Sequence, residues 1–322
     1  MAAAEPRRHR FASYNETMHR LRRCAPVALA LLLAFTCSSC SLGRLLTHPR
    51  VFSSKGKPLP PGTARPLPLV ATGVELNSRI VNLYNAINSF QAKVQMTPSV
   101  GSVYQGKISD SIVDVESYVL FRKPDQMRII GKVPVAGTQM FDMVSNGTDF
   151  MVSVTARNLF ITGSNSAPAT SKNTLENLRP EAFFAAMLIR PADAKSEKLL
   201  LEDDTDEDHQ LYKLHFIQEG TDGQLILTRA VWFDREDLSI VRQKEFSLKG
   251  EILSDSRYAK WQTYDGVRFP SHIDISRPLD NYGVTMDILD MKMNLNLTDD
   301  KFVLTQPEGS TLRRIGEAAP PK

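Results

Sequence analysis

From residue 90 to residue 297 apolar side chains recur at every second position, in run after run, and each run ends in turn chemistry. Side chains alternate between the two faces of a strand, so this period commits the chain to sheet with one buried face and one wetted face. The runs fall at 90–97, 103–110, 113–123, 126–133, 138–145 and 149–155, and again at 197–203, 210–218, 224–234, 238–248, 251–264, 267–276 and 283–297. Asn146-Gly147 is a hairpin signal, Lys123-Pro124-Asp125 is turn chemistry, and Val133-Pro134 cannot continue a central ladder. Thr221-Asp222-Gly223 and Tyr264-Asp265-Gly266 mark further turns. Such short links join antiparallel neighbours, and a sheet this wide must curl into a barrel or cover its edges.

Two segments break the period of two. Val74, Leu76, Ile80, Leu83, Tyr84 and Ile87 recur at three and four residues behind Thr72 and Asn77, either of which can cap a helix. A second helical stretch is expected over 175–189, where Arg179-Pro180-Glu181 suits a helix start, Phe183, Phe184, Met187 and Leu188 follow at helical spacing, and Pro191 ends it. No repeat of 20 to 50 residues divides the body, so residues 72–315 are expected to form one domain.

The N-terminus has a different character. Arg20, Arg22 and Arg23 precede an apolar stretch at 25–35, followed by Thr36-Cys37-Ser38-Ser39-Cys40. About 11 apolar residues suit a secretory signal better than a bilayer-spanning helix, which needs roughly 20. Ser38-Ser39-Cys40 resembles the lipobox of bacterial lipoproteins, which implies cleavage after residue 39 and lipid attachment at Cys40. The absence of Asp at Ser41 favours the outer membrane by proteobacterial sorting rules. Residues 40–71 carry Pro49, Pro58, Pro60, Pro61, Pro66 and Pro68 and read as a tether, and residues 316–322 read as a loose tail.

Charge supports this division. Of the chain's 39 Lys and Arg and 36 Asp and Glu, residues 1–39 take six and two, which leaves 33 basic against 34 acidic residues in the remainder. The basic excess therefore lies in the leader and gives no reason to expect a nucleic-acid partner. All three cysteines, Cys24, Cys37 and Cys40, also lie at this end, so the body has to hold together without disulfides.

The sequence offers no sign of catalysis or of a cofactor. It lacks a Gly-x-Ser-x-Gly elbow, a phosphate-binding glycine loop and a nucleotide fingerprint. The acidic run Asp203, Asp204, Asp206, Glu207 and Asp208 is no calcium loop of the EF-hand type, because counting from Asp204 the sixth and twelfth places hold His209 and His215. A solvated turn suits it better, and His48, His209, His215 and His272 are too scattered for a zinc site. Asp234 and Glu236 read as a strand-end turn rather than an acid and base couple.

Several short segments carry a family resemblance. Asn88-Ser89-Phe90-Gln91-Ala92, Phe121-Arg122-Lys123-Pro124-Asp125, Val144-Ser145-Asn146-Gly147, Pro180-Glu181-Ala182-Phe183-Phe184 and Asp300-Lys301-Phe302 with Pro307-Glu308-Gly309 occur in this order over residues 72–312. Together they resemble the LolA and LolB family of lipoprotein carriers. The resemblance implies a mainly β (α+β) fold, a half-open antiparallel β-barrel of about 11 or more strands with an N-terminal helix and a helical lid. It also implies an apolar cavity for acyl chains of lipoproteins or lipids, a periplasmic carrier protein as partner, and a membrane surface reached through Cys40. Other members of the fold are glycolipid carriers and envelope-stress regulators, so an envelope protein-interaction module is the second expectation.

The resemblance places the lid at Phe183, Phe184, Met187 and Leu188, an apolar loop at Pro134 and Val135, and a lid latch at Lys123. A cavity for methylenes needs adaptable apolar walls, and Phe141, Met143, Trp232, Met291 and Met293, with Trp261, are the residues expected there. The same residues would serve equally as core filler, and the pattern alone does not decide between the two.

Overall fold

The computed structural model describes residues 67–102, 107–110, 114–133, 137–166, 180–206 and 208–315. All of these belong to one compact unit, Pro58–Lys322. Cys40, Pro134 and Val135 lie outside the described residues.

Helix α1 spans Gly73–Ala86, and of its two candidate caps Thr72 is the one used. The Thr72 hydroxyl accepts the Glu75 N–H, while the Glu75 carboxylate accepts the Thr72 N–H at 2.7 Å. This reciprocal pair satisfies two of the N–H groups that any helix start leaves orphaned. Leu76 and Ile80 are fully buried, but Val74 is 75% exposed, because two residues along a helix turn it to nearly the opposite side from Leu76.

The rest of the described chain is mainly strand. The first half holds β1 (Ser89–Ser102), β2 (Lys107–Asp110), β3 (Val115–Arg122), β4 (Gln126–Lys132), β5 (Gln139–Ser145), β6 (Asp149–Val154) and β7 (Leu159–Ser164). Helix α2 (Pro180–Met187) follows, and then β8 (Glu197–Asp203), β9 (Leu211–Glu219), β10 (Leu225–Asp234), β11 (Ile240–Phe246), β12 (Ile252–Tyr264), β13 (Val267–Arg277), β14 (Tyr282–Met293) and β15 (Thr311–Ile315). They form one 15-stranded sheet in the order β15-β7-β6-β5-β4-β3-β1-β14-β13-β12-β11-β10-β9-β8, with β2 on the side of β1. Neighbours are antiparallel except β15, which runs parallel to β7.

The strand expected to reach residue 297 stops at Met293, where Asn294 turns left-handed at φ 56°. Strands β7 and β15 were not expected from the period of two. At the β5–β6 hairpin Gly147 has φ 92°, and the Asn146 side chain accepts the N–H groups of Thr148 and Asp149. A Cβ at Gly147 would also run into the Asp125 carboxylate at 2.1 Å, so two independent constraints require glycine there.

The register sorts residues onto two faces. On the core face Phe90 stands opposite Phe121 and Met293, and Ala92 opposite Val119 and Met291. The Phe90 and Phe121 rings stack at 4.8 Å, and Phe269 tilts against Phe90 at 5.8 Å. The other face is mostly polar, apart from a small cluster in which Leu297 and Phe302, beyond β14, cover Leu120 and Val144.

The sheet is strongly curled. Helix α2 touches β5 and also β11, through the Gln243 side chain. Seven strand spacings separate those two strands, about 34 Å on a flat sheet, whereas eight residues of helix are only about 12 Å long. The sheet must therefore wrap around the helix, and its outer strands β8 and β15 do not pair with each other.

Candidate functional site

Helix α2 is described from Pro180 to Met187 and buries Phe183, Ala186 and Met187 against the core face. The Phe184 ring tilts onto Phe121 at 4.8 Å. The last carbonyls of a helix lack partners within it, and here the sheet supplies them. Gln243 of β11 donates to the Ala185 carbonyl at 3.2 Å, and the Tyr258 hydroxyl of β12 donates to that of Ala186 at 2.9 Å. Burial pushes the Tyr258 phenol well above its usual range, so it stays a donor at any physiological pH.

Just past the helix, Arg229 of β10 donates to the Arg190 carbonyl and, at 2.9 Å, to that of Pro191. The same guanidinium pairs with Glu197 of β8 at 3.1 Å. Burial alone would raise the Glu197 carboxyl, but the Asp193 N–H, the Arg229 charge and the Thr228 hydroxyl outweigh it and lower the pKa. Burial also pulls the Arg229 pKa down, and Glu197 limits the fall.

The expected cavity residues come together, with one exception. Phe183, Met187 and Leu188 join Met143, Met291 and Met293 in a single buried cluster, and Phe141 and Phe184 pack against it. These side chains pack together between α2 and the core face of the sheet. Trp232 is the exception and a correction: it lies opposite Lys213 and Arg242 on the other face of β10, while its neighbours Val231 and Phe233 enter the core. Its indole N–H donates to Asp204 at 2.8 Å, and Lys213, Arg242 and Lys244 crowd its ring at 5.3 to 5.7 Å.

Lys123 is the second correction. Its ammonium lies 3.7 Å from the Tyr84 ring and donates to the Tyr84 carbonyl, so it closes the C-terminal end of α1 instead of latching α2. Partial burial lowers its pKa. Asn294 completes that end by donating to the Ala86 carbonyl at 2.9 Å.

Open space lies beside α1. A groove of about 300 Å³ runs between Arg79, Asn82, Leu83 and Ala86 of the helix and two hairpins of the sheet. The β10–β11 hairpin contributes Leu238, Ser239 and Ile240, and the β12–β13 hairpin contributes Trp261, Gly266, Val267 and Arg268. Leu238 is 7% exposed and held at φ 57°, a conformation that costs a bulky residue about 1–2 kcal/mol. The Trp261 N–H donates to the Ile240 carbonyl at 3.0 Å, which ties the two hairpins together at the groove wall.

The acidic run is anchored by its surroundings. Asp203 pairs with Arg235 at 2.8 Å, and Asp206 accepts the N–H groups of Asp208 and His209. Among the described residues no group of three or more His, Cys, Asp and Glu is arranged to hold a metal, and no helix is long and apolar enough to cross a membrane.

No family model matches the sequence, and no curated protein matches it significantly. In structure the chain is similar to a DUF1329 family protein from Desulfovibrio piger, with TM-score 0.48 and 16% identity over 72% of this chain and 95% of that one. It is also similar to a LolA superfamily protein from Nitrosomonas europaea, with TM-score 0.47 and 15% identity over 73% and 99% of the two chains. A third is a candidate outer membrane lipoprotein-sorting domain from Vibrio parahaemolyticus, with TM-score 0.44 and 13% identity over 71% and 95%. At these scores the likeness assigns neither a family nor an activity, and both have to be argued from the chain's own geometry.

Proposed function

We propose that this chain is an envelope lipoprotein, anchored through Cys40 to the periplasmic face of the outer membrane, that binds acyl chains of a lipoprotein or lipid without performing chemistry on them. Helix α2 acts as the lid of the half-open barrel, and a periplasmic carrier protein hands the acyl cargo over. The observation that carries this reading is the groove beside α1, whose floor of Leu83, Leu238, Ile240 and Val267 is continuous with the buried core. At about 300 Å³ it sits at the lower bound of small-molecule sites, roughly 300–1,000 Å³. A larger cargo requires α2 to lift away from the methionine and phenylalanine side chains beneath it. Those side chains are adaptable, and among the described residues the outer strands of the sheet that carries them do not pair with each other.

The burial of Phe183, Met187 and Leu188 in the core cluster favours a second reading, an envelope interaction or stress-sensing module that meets a protein partner and transfers no lipid. Lipid extraction from natively purified chain, followed by mass spectrometry, separates the two. Co-purifying acyl lipid supports the first reading; an empty chain that also refuses added fatty acid supports the second.

A further inference from the structure

The polar residues of the α1 groove say what kind of acyl ligand it suits, a step that rests on the acyl-binding reading above. Arg79 and Asn82 stand on the helix side, Ser239 and Arg268 on the hairpin side, and no carboxylate lines the groove. Arg268 reaches Asp237 at 3.3 Å, in a pair whose side chains are 54% and 47% exposed, and lies 5.8 Å from the Trp261 ring. Such an exposed pair contributes little and exchanges readily. Arg79 forms no ion pair within 4.0 Å among the described residues. Glu75, one turn before it, gives its carboxylate to the Thr72 cap. The groove therefore combines an apolar floor with two guanidinium groups at its walls, and the nearer carboxylate to Arg79, that of Glu75, acts on it through space without an ion pair within 4.0 Å.

An uncharged chain gains nothing from that arrangement. A carboxylate or phosphate gains charge-assisted hydrogen bonds, and guanidinium groups offer the fork that both anions match. We propose that the groove seats a single-chain anionic amphiphile, with its chain on Leu83, Leu238, Ile240 and Val267 and its head held by Arg79 and Arg268. Asn82 and Ser239 supply further hydrogen bonds to the head. The small volume accounts for one chain, and the missing carboxylates account for the sign of the head.

The test compares laurate, dodecyl phosphate and methyl laurate, three ligands of equal chain length, each titrated below its aggregation limit into the full chain. Binding is followed by calorimetry and by the fluorescence of Trp261, in a Trp232→Phe background so that one indole reports. Laurate, dodecyl phosphate or both should bind at least about tenfold more tightly than the ester, since one charge-assisted hydrogen bond supplies that factor. Binding of laurate alone identifies a fatty-acid carboxylate, and binding of dodecyl phosphate alone a phospholipid-type head. Arg79→Ala and Arg268→Ala should each weaken the anion about tenfold and leave the ester and the melting temperature unchanged. Equal affinity for ester and anions, or anion binding that ignores both substitutions, overturns the anionic-head proposal while the acyl-binding reading stands. Failure of all three ligands to bind overturns both.

Discussion

Arg229 and Glu197 form an ion pair at 3.1 Å with side chains only 3% and 8% exposed. Buried pairs of this kind contribute modestly when intact, but removing one partner strands the other and costs about 3–5 kcal/mol. Arg229→Met should therefore lower stability by about that amount and Arg229→Met with Glu197→Leu by much less. Urea titrations of the two variants check this, and equal losses would show that the charges do not act as a pair.

The same pair sets a pH dependence. The Glu197 carboxyl is held below its ordinary 4.5 in the folded chain, so the unfolded chain binds the proton more readily. Its contribution is complete above about pH 4.5 and is lost as pH falls through the lower folded value. Acid unfolding of Glu197→Gln should consequently lack that component, and an unchanged acid profile would remove Glu197 from the account.

Tyr258→Phe removes the donor to the Ala186 carbonyl and leaves that carbonyl buried without its partner. The expected loss is about 1–3 kcal/mol. Amide exchange should speed up in residues 182–191 before it does in β1 or β14, because the hydroxyl's hydrogen bond is made to α2. Uniform acceleration across the sheet would contradict the assignment.

Asp274 of β13 behaves in the opposite sense to Glu197. Burial raises its pKa, against the Arg257 charge and the Thr285 hydroxyl. The folded chain thus holds this proton more tightly, and stability falls as pH rises from about 3.8 toward the folded value. Asp274→Asn should raise the melting temperature at about pH 7 and make little difference near pH 3. A thermal melt series over pH decides it.

Gly131→Ala places a methyl 2.2 Å from the Phe141 ring, which lies across the glycine from the next strand. Overpacking of this kind costs about 1–3 kcal/mol. Adding Phe141→Leu should recover most of the loss; a double variant no better than the single would mean that the backbone, not the ring, resists the methyl.

Most of the ladder was legible because each run alternates and each turn uses its own chemistry. Legibility failed where alternation failed. Val231, Trp232 and Phe233 are three large apolar residues in a row, so parity is lost, and only the facing cations Lys213 and Arg242 reveal that Trp232 points outward. Leu159-Phe160-Ile161 in β7 presents the same ambiguity directly after a 3-10 turn at Thr155–Arg157. Strand β15 pairs in parallel with β7 across more than a hundred residues, without any local turn to announce it. Lys123 was placed correctly at its turn, but the position in sequence says nothing of which helix end lies above it. The α1 groove was not legible at all, since Arg79 and Arg268 meet the same space only through the fold.

A closed barrel has its girth fixed by strand number and stagger. Among the described residues this sheet has no such fixed girth, because its outer strands β8 and β15 do not pair with each other. The two helices packed on its core face, among the described residues, therefore act as its spacers, and the curl is set by side-chain packing rather than by a closed backbone ladder.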